Sequence, residues 1–148
     1  MATLHGLPLG WALTGAKADE RVVCWDMLTG TPALSVDPEG HQTLIADKGY
    51  NGAEFEADLN QIGIELLRPT RKGEALRAGE RFFKPLRQCV ESIFDTFKGQ
   101  LNLEQDGGRT VAGVCTRVGQ RVLALTAAIW HNDTIGPPVL RSLTAYDH

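Results

Sequence analysis

Between Leu86 and Leu101 the chain reads LRQCVESIFDTFKGQL, with its apolar residues recurring at helical spacing. At about 100° per residue, Leu86, Val90, Ile93, Phe94, Phe97 and Leu101 fall in a sector of roughly 100°, wide enough to face a core. The pattern predicts a helix. On the same projection Arg87, Glu91 and Lys98 lie within about 40° of one another, against one edge of the stripe rather than on the opposite face. A carboxylate and two cations are thereby placed at the rim of a core.

The same reading, taken along the rest of the chain, predicts a short list of elements. Leu4–Thr14, LHGLPLGWALT, is apolar with Gly and Pro interruptions and reads as a strand or hairpin remnant. Asp19 is placed to cap a helix running to about Leu28, with Glu20 in its first turn, Val23 and Met27 on one face and Gly30 just past its end. Thr29–Gln42, containing Pro32, Pro38, Gly30 and Gly40, reads as a loop. Thr43–Ala46 is a short apolar strand that runs directly into Asp47-Lys48-Gly49-Tyr50-Asn51-Gly52. A helix follows, with Phe55, Leu59 and Ile62 at i, i+4 and i+7, and Ile64–Leu67 makes the next strand. A strand–helix–strand unit sets its strands parallel, and in open α/β sheets ligands sit beyond the carboxyl ends of the strands. Asp47 stands at such an end.

Further along, Leu67–Pro85 is a basic, glycine-containing connection carrying Arg68, Arg71, Lys72, Arg77, Arg81 and Lys84, expected to stay mobile until it meets a polyanion. Thr110–Trp130 has Val111, Val114, Val118, Val122, Leu125 and Ile129 at helical spacing, a long core helix with Arg117 and Arg121 to one side. Pro137 and Pro138 stop regular structure, and residues 132–148 read as a loose tail.

A chain of 148 residues is expected to form one domain and to bury about two thirds of its unfolded surface. An apolar fraction of 43% and a charged fraction of 22% fit a soluble globular protein, and no apolar run reaches membrane-spanning length. Met1–Gly15 lacks the basic region of a signal peptide, so a cytoplasmic protein is expected. Cys24, Cys89 and Cys115 are odd in number, widely spaced and without a CxxC, which argues against both a disulfide framework and a zinc site. His5, His41, His131 and His148 show no ligand spacing either. The net charge of −3 hides a split: residues 1–65 carry 3 cations and 10 carboxylates, residues 66–121 carry 11 cations and 6 carboxylates. A basic face beside an acidic pocket suits a protein that places metal ions on a polyanion, although a patchy solvated surface has the same composition.

Each candidate residue has a plainer alternative. Arg87 and Glu91 form an i,i+4 pair of the kind common on helix surfaces, worth a few tenths of a kcal/mol. Asp before a Gly-containing turn is a common turn or cap residue. Read together, Asp47 at a strand end and Glu91 on a core-facing helix are carboxylates that could converge on a hard cation such as Mg²⁺. Two such ions can clamp the attacking and leaving oxygens of a phosphodiester.

LIADKGYNG, followed by a helix with Arg87, Glu91 and Lys98 in an Arg-x3-Glu-x6-Lys pattern, resembles the DDE transposases of bacterial insertion sequences, with 43 residues between Asp47 and Glu91. The stretches RQCVESIFDTFKGQLNLE, TRVGQRVLALTAAIWHN and RSLTAYDH also look like the C-terminal part of such enzymes, so the resemblance covers most of the chain. It implies an α/β, ribonuclease-H-like mixed sheet flanked by helices. It also implies Mg²⁺-dependent cleavage at insertion-sequence ends followed by strand transfer. Asp47 and Glu91 would be the catalytic, metal-holding carboxylates. Arg87 and Lys98 would contact DNA phosphates, with Lys48 a weaker candidate. Transposon-end and target DNA would be the partners, with further copies of the chain in a homo-oligomer and no membrane, in a bacterial cytoplasm. Two departures stand out. The family's tyrosine three residues before the arginine is replaced by Lys84. No position matches the family's first aspartate, since Asp19, Asp26 and Asp37 fall at a helix start, in a helix and in a loop. Residues 1–148 are therefore expected to form a single catalytic domain truncated at its N-terminus, with an incomplete two-metal site and little activity alone. The alternative is a non-catalytic module or relic that binds DNA or an intact transposase.

Overall fold

The computed structural model describes residues 1–34, 40–105, 107–136 and 143. The chain divides into two compact units, one formed by Thr14–Pro85 and the other by Met1–Leu13 together with the chain from Leu86 onward.

In the first unit the Asp19 carboxylate accepts the Arg21 backbone N–H at 2.9 Å and so starts helix α1, Glu20–Gly30. The cap falls where the sequence puts it, but the buried face is Cys24 and Leu28 rather than Val23 and Met27, which are half-buried beside it. Gly30 is the last helical residue and Thr31 the C-cap. The expected loop contains a 3-10 turn at Pro32–Leu34, and residues 35–39, including Asp37 and Pro38, lie outside the described residues.

Strand β1, Gln42–Ile45, helix α2, Ala53–Gln61, and strand β2, Ile64–Leu67, follow as expected, and β1 pairs with β2 in parallel. Register runs from Gln42 opposite Ile64 to Ile45 opposite Leu67, and Ala46 N–H extends it by donating to Leu67 C=O at 3.0 Å. Phe55 and Leu59 on α2 and Ile64 and Leu66 on β2 are buried, the two periodicities presenting apolar residues to one core. Among the described residues the fold is thus mixed α/β, with a two-stranded parallel sheet.

The basic connection is ordered by its own carboxylates. Arg68, only 3% exposed, is gripped by Glu74 through two parallel bonds of 2.9 and 2.8 Å and by Glu56 through its Nε at 3.0 Å. Glu56 also takes Arg77 at 2.9 Å, and Glu80 accepts both the N–H and the hydroxyl of Thr70. Charge counting along the sequence treats these cations as available, whereas two of them are spent on a carboxylate of α2.

In the second unit, helix α3, Phe83–Asp95, enters at its N-terminal end and passes into a π-helical turn, Thr96–Gln100, closed by Leu101 N–H donating five residues back to Thr96 C=O at 3.1 Å. Helix α4, Val111–Ile135, is capped by Thr110, whose hydroxyl accepts Gly113 N–H at 3.1 Å. It runs past Trp130 to Ile135 and buries Asn132, so the segment from 132 to 135 is helix and not tail. Apart from Gly136 and Leu143, the rest of that tail lies outside the described residues. Ile93, Phe97, Leu125 and Ile129 form the core, ringed by Leu7, Cys89, Leu101, Leu103 and Val122. The N-terminal stretch forms a tight reversal with one antiparallel bridge, Ala2 to Pro8, and Cys89 Sγ donates to Leu4 C=O at 2.9 Å.

Candidate functional site

Asp47 leaves β1 two residues after its last strand position and caps the 3-10 turn Lys48–Tyr50. Its Oδ1 accepts Gly49 N–H at 2.8 Å, and its carbonyl accepts Tyr50 N–H at 3.1 Å. Asp47 is exposed, at the carboxyl end of a parallel strand. The cap role of Asp47 is thus realised through Oδ1.

A second carboxylate lies near it. A point one Cβ bond from Gly49 is 3.8 Å from Asp47 Oδ1 and 3.9 Å from Glu20 Oε2, so the first turn of α1 brings Glu20 alongside the strand end. Tyr50 shares this neighbourhood. Burial pushes its phenol up, and the charges of Cys24, Glu20 and Asp47 add to the effect. Linear spacing carries no sign of this approach, because Glu20 reads as an ordinary acidic residue in a helix's first turn.

On α3, Arg87 Nε donates to Glu91 Oε1 at 2.8 Å, and both side chains are exposed. Lys98 does not continue that row. It pairs with Glu104 at 2.8 Å, which holds its ammonium above the ordinary value. The cause is the π turn: a projection at 100° per residue assumes unbroken α-helix through Leu101, and an i+5 turn rotates everything after Asp95. The apolar stripe is also split, with Ile93 and Phe97 buried while Val90 and Phe94 stay about half exposed at 48% and 53%.

Comparison of the chain with protein-family models, curated proteins and solved structures finds no significant match. Asp47 belongs to the first unit and Glu91 to the second. One oxygen of each has a hydrogen-bond partner, Asp47 Oδ1 a backbone N–H and Glu91 Oε1 a guanidinium. Among the described residues no group of three or more His, Cys, Asp and Glu is gathered. Lys48 is exposed in the turn beside Asp47, where an ammonium can meet a phosphate. No helix of the described residues is long and apolar enough to cross a membrane.

Proposed function

We propose that the chain is the portion of a DDE-type transposase catalytic domain that carries the second and third acidic positions, within a ribonuclease-H-like fold. The observation that carries this reading is the place of Asp47, an exposed carboxylate at the carboxyl end of a parallel strand in the unit β1–α2–β2. Open α/β sheets present their ligands there. The motif that follows on α3, Arg87 with Glu91, is exposed and so open to a polyanion.

On this reading Asp47 and Glu91 would hold Mg²⁺, which when bound neutralises charge on the phosphodiester being cut. Arg87 has a double part: it screens Glu91 in the free chain, and its guanidinium offers a planar fork to a phosphate when DNA arrives. Lys48 contributes a point charge to the DNA backbone, and Lys98 does so only on leaving its ion pair with Glu104.

The test has two parts. Duplex DNA carrying insertion-sequence ends is titrated with the chain at rising salt, where an affinity falling with a steep log–log slope reports phosphate contacts. In a full-length version, Glu91→Ala should abolish cleavage and leave DNA binding in place. Cleavage that persists in that variant removes Glu91 from the mechanism, and DNA binding without any cleavage by the full-length parent favours the non-catalytic module instead.

A further inference from the structure

Asn51 joins three parts of the Thr14–Pro85 unit. Its backbone carbonyl accepts Arg21 Nη1 of α1 at 3.0 Å. Its Oδ1 accepts Arg71 Nη1 of the basic connection at 2.6 Å. Its Nδ2 donates to the carbonyls of Lys48 and Gly49, at 3.2 and 3.3 Å. Chemistry fixes the orientation of the amide, because a guanidinium has only donors and must face Oδ1, which leaves Nδ2 to the two carbonyls.

The turn held this way is the one that Asp47 closes from its other end. Asp47 Oδ1 takes the N–H of Gly49, and Asn51 Nδ2 supports the C=O of the same residue. Gly49 is therefore gripped on both sides. The direction in which the Asp47 carboxylate points is set by where Gly49 N–H lies, and that depends on Asn51. Arg71 is itself seated, since its backbone N–H donates to Glu74 Oε2 at 2.8 Å, the carboxylate that grips buried Arg68.

We propose that Asn51 is a positioning residue for Asp47, with Arg71 as its outer support, so that the seating of the basic connection sets the orientation of the Asp47 carboxylate. The proposal rests on the reading of Asp47 as a metal-holding group. It assigns the connection a second role besides meeting phosphates, which is to keep a strand-end turn in one conformation.

The experiment uses the full 148-residue chain, labelled with ¹⁵N, and Mn²⁺ as the metal probe. Hydrogen exchange at the Gly49 amide reports the bond to Asp47, and Mn²⁺-induced broadening around residues 47–51 reports metal affinity. Asn51→Leu removes all the side-chain bonds at nearly constant size, Arg71→Met removes only the outer one, and Arg71→Lys restores a cationic donor. Exchange at Gly49 should rise about tenfold in Asn51→Leu, the net worth of a hydrogen bond or so. Arg71→Met should show a smaller rise, about threefold, and Arg71→Lys should recover most of it. Mn²⁺ affinity should fall in the same order. Unchanged Mn²⁺ affinity in both Asn51→Leu and Arg71→Met overturns the positioning role, whatever the exchange does. If Asn51→Leu fails to fold, the exposed Arg71 pair decides alone. A parent chain in which Mn²⁺ broadens nothing near Asp47 instead overturns the metal reading of Asp47, and the proposal falls with it.

Discussion

Arg68 and Glu74 are locked fork to fork, Nη1 on Oε2 at 2.9 Å and Nη2 on Oε1 at 2.8 Å, with the guanidinium 3% exposed and the carboxylate about a third exposed. A bidentate pair of this kind fixes angle as well as distance. It converts residues 68–80 from a tether into a folded strap, since Glu56 and Glu80 supply further anchors.

Replacing Arg68 by Met should therefore loosen the strap and lower the stability of its unit by about 2 kcal/mol, the range for hydrogen bonds to charged groups. Urea unfolding followed by circular dichroism measures it. The control is Lys72→Ala, at an exposed position of the same strap, which should change stability by less than about 0.5 kcal/mol.

Acid should act on the same pair. The Arg68 guanidinium, with the Arg71 backbone N–H, lowers the Glu74 carboxyl from 4.5 to about 2. Arg21 likewise lowers Asp19 from 3.8 to about 2. In both cases the unfolded chain binds the proton more readily than the folded one, so the contribution is complete above the unfolded values and is lost as pH falls toward 2. The urea midpoint should decline from pH 5 to pH 2, and Glu74→Gln should flatten part of that decline. A midpoint equally steep in Glu74→Gln would assign the acid sensitivity to other groups.

Gly79 has φ +82, and a Cβ there would stand 2.7 Å from Leu67 Cδ1. Gly79→Ala thus combines a left-handed backbone with a steric clash at the end of β2, and should cost about 1–3 kcal/mol. Differential scanning calorimetry on the variant checks it.

Among the described residues Asn102 is the non-glycine residue with positive φ, at 50°, two positions after the π turn, and Arg121 Nε reaches back to the Leu101 and Asn102 carbonyls at 2.8 and 3.2 Å. Asn tolerates this conformation and a β-branched residue does not. Asn102→Val should destabilise by about 1 kcal/mol while Asn102→Gly stays near neutral, measured by urea unfolding.

On the proposed reading, the exposed Arg87–Glu91 pair separates stability from DNA binding. Arg87→Ala should change the unfolding free energy by less than about 0.5 kcal/mol, as exposed i,i+4 pairs do. The same substitution should weaken binding of duplex DNA several-fold and reduce its salt slope by about one phosphate contact. Fluorescence anisotropy at two salt concentrations reads both, and an unchanged affinity would remove Arg87 from the DNA contact.

What could be read from the chain alone was what depends on local rules. The Asp19 cap, the helix it starts and the β1–α2–β2 unit follow from capping chemistry and hydrophobic period, and each is found within a residue or two of its expected bounds, whereas the helix expected over Thr110–Trp130 from its apolar spacing runs on to Ile135. What escaped depended on contacts between distant residues or on a broken period. Burial of Arg68 required Glu56 and Glu74 to close on it, and the approach of Glu20 to Gly49 required α1 to reach the strand end. The π turn over Thr96–Gln100 broke the helical period on which Lys98 was placed, and a regular 100° projection gives no sign of it. Asn51 was part of the string that drew attention to Asp47, but its role as a clamp appears only once Arg71 is folded back against it.

The register of the two strands has a genetic consequence. Ile45 sits opposite Leu67, and Asp47 follows two residues later, so the carboxylate's position is counted off from the pairing itself. Inserting or deleting one residue between Gln42 and Asp47 would displace the carboxylate by about 3.3 Å or turn it to the other face of the sheet. On the proposed reading of Asp47, related chains should therefore tolerate length variation in the strap before they tolerate any within these six codons.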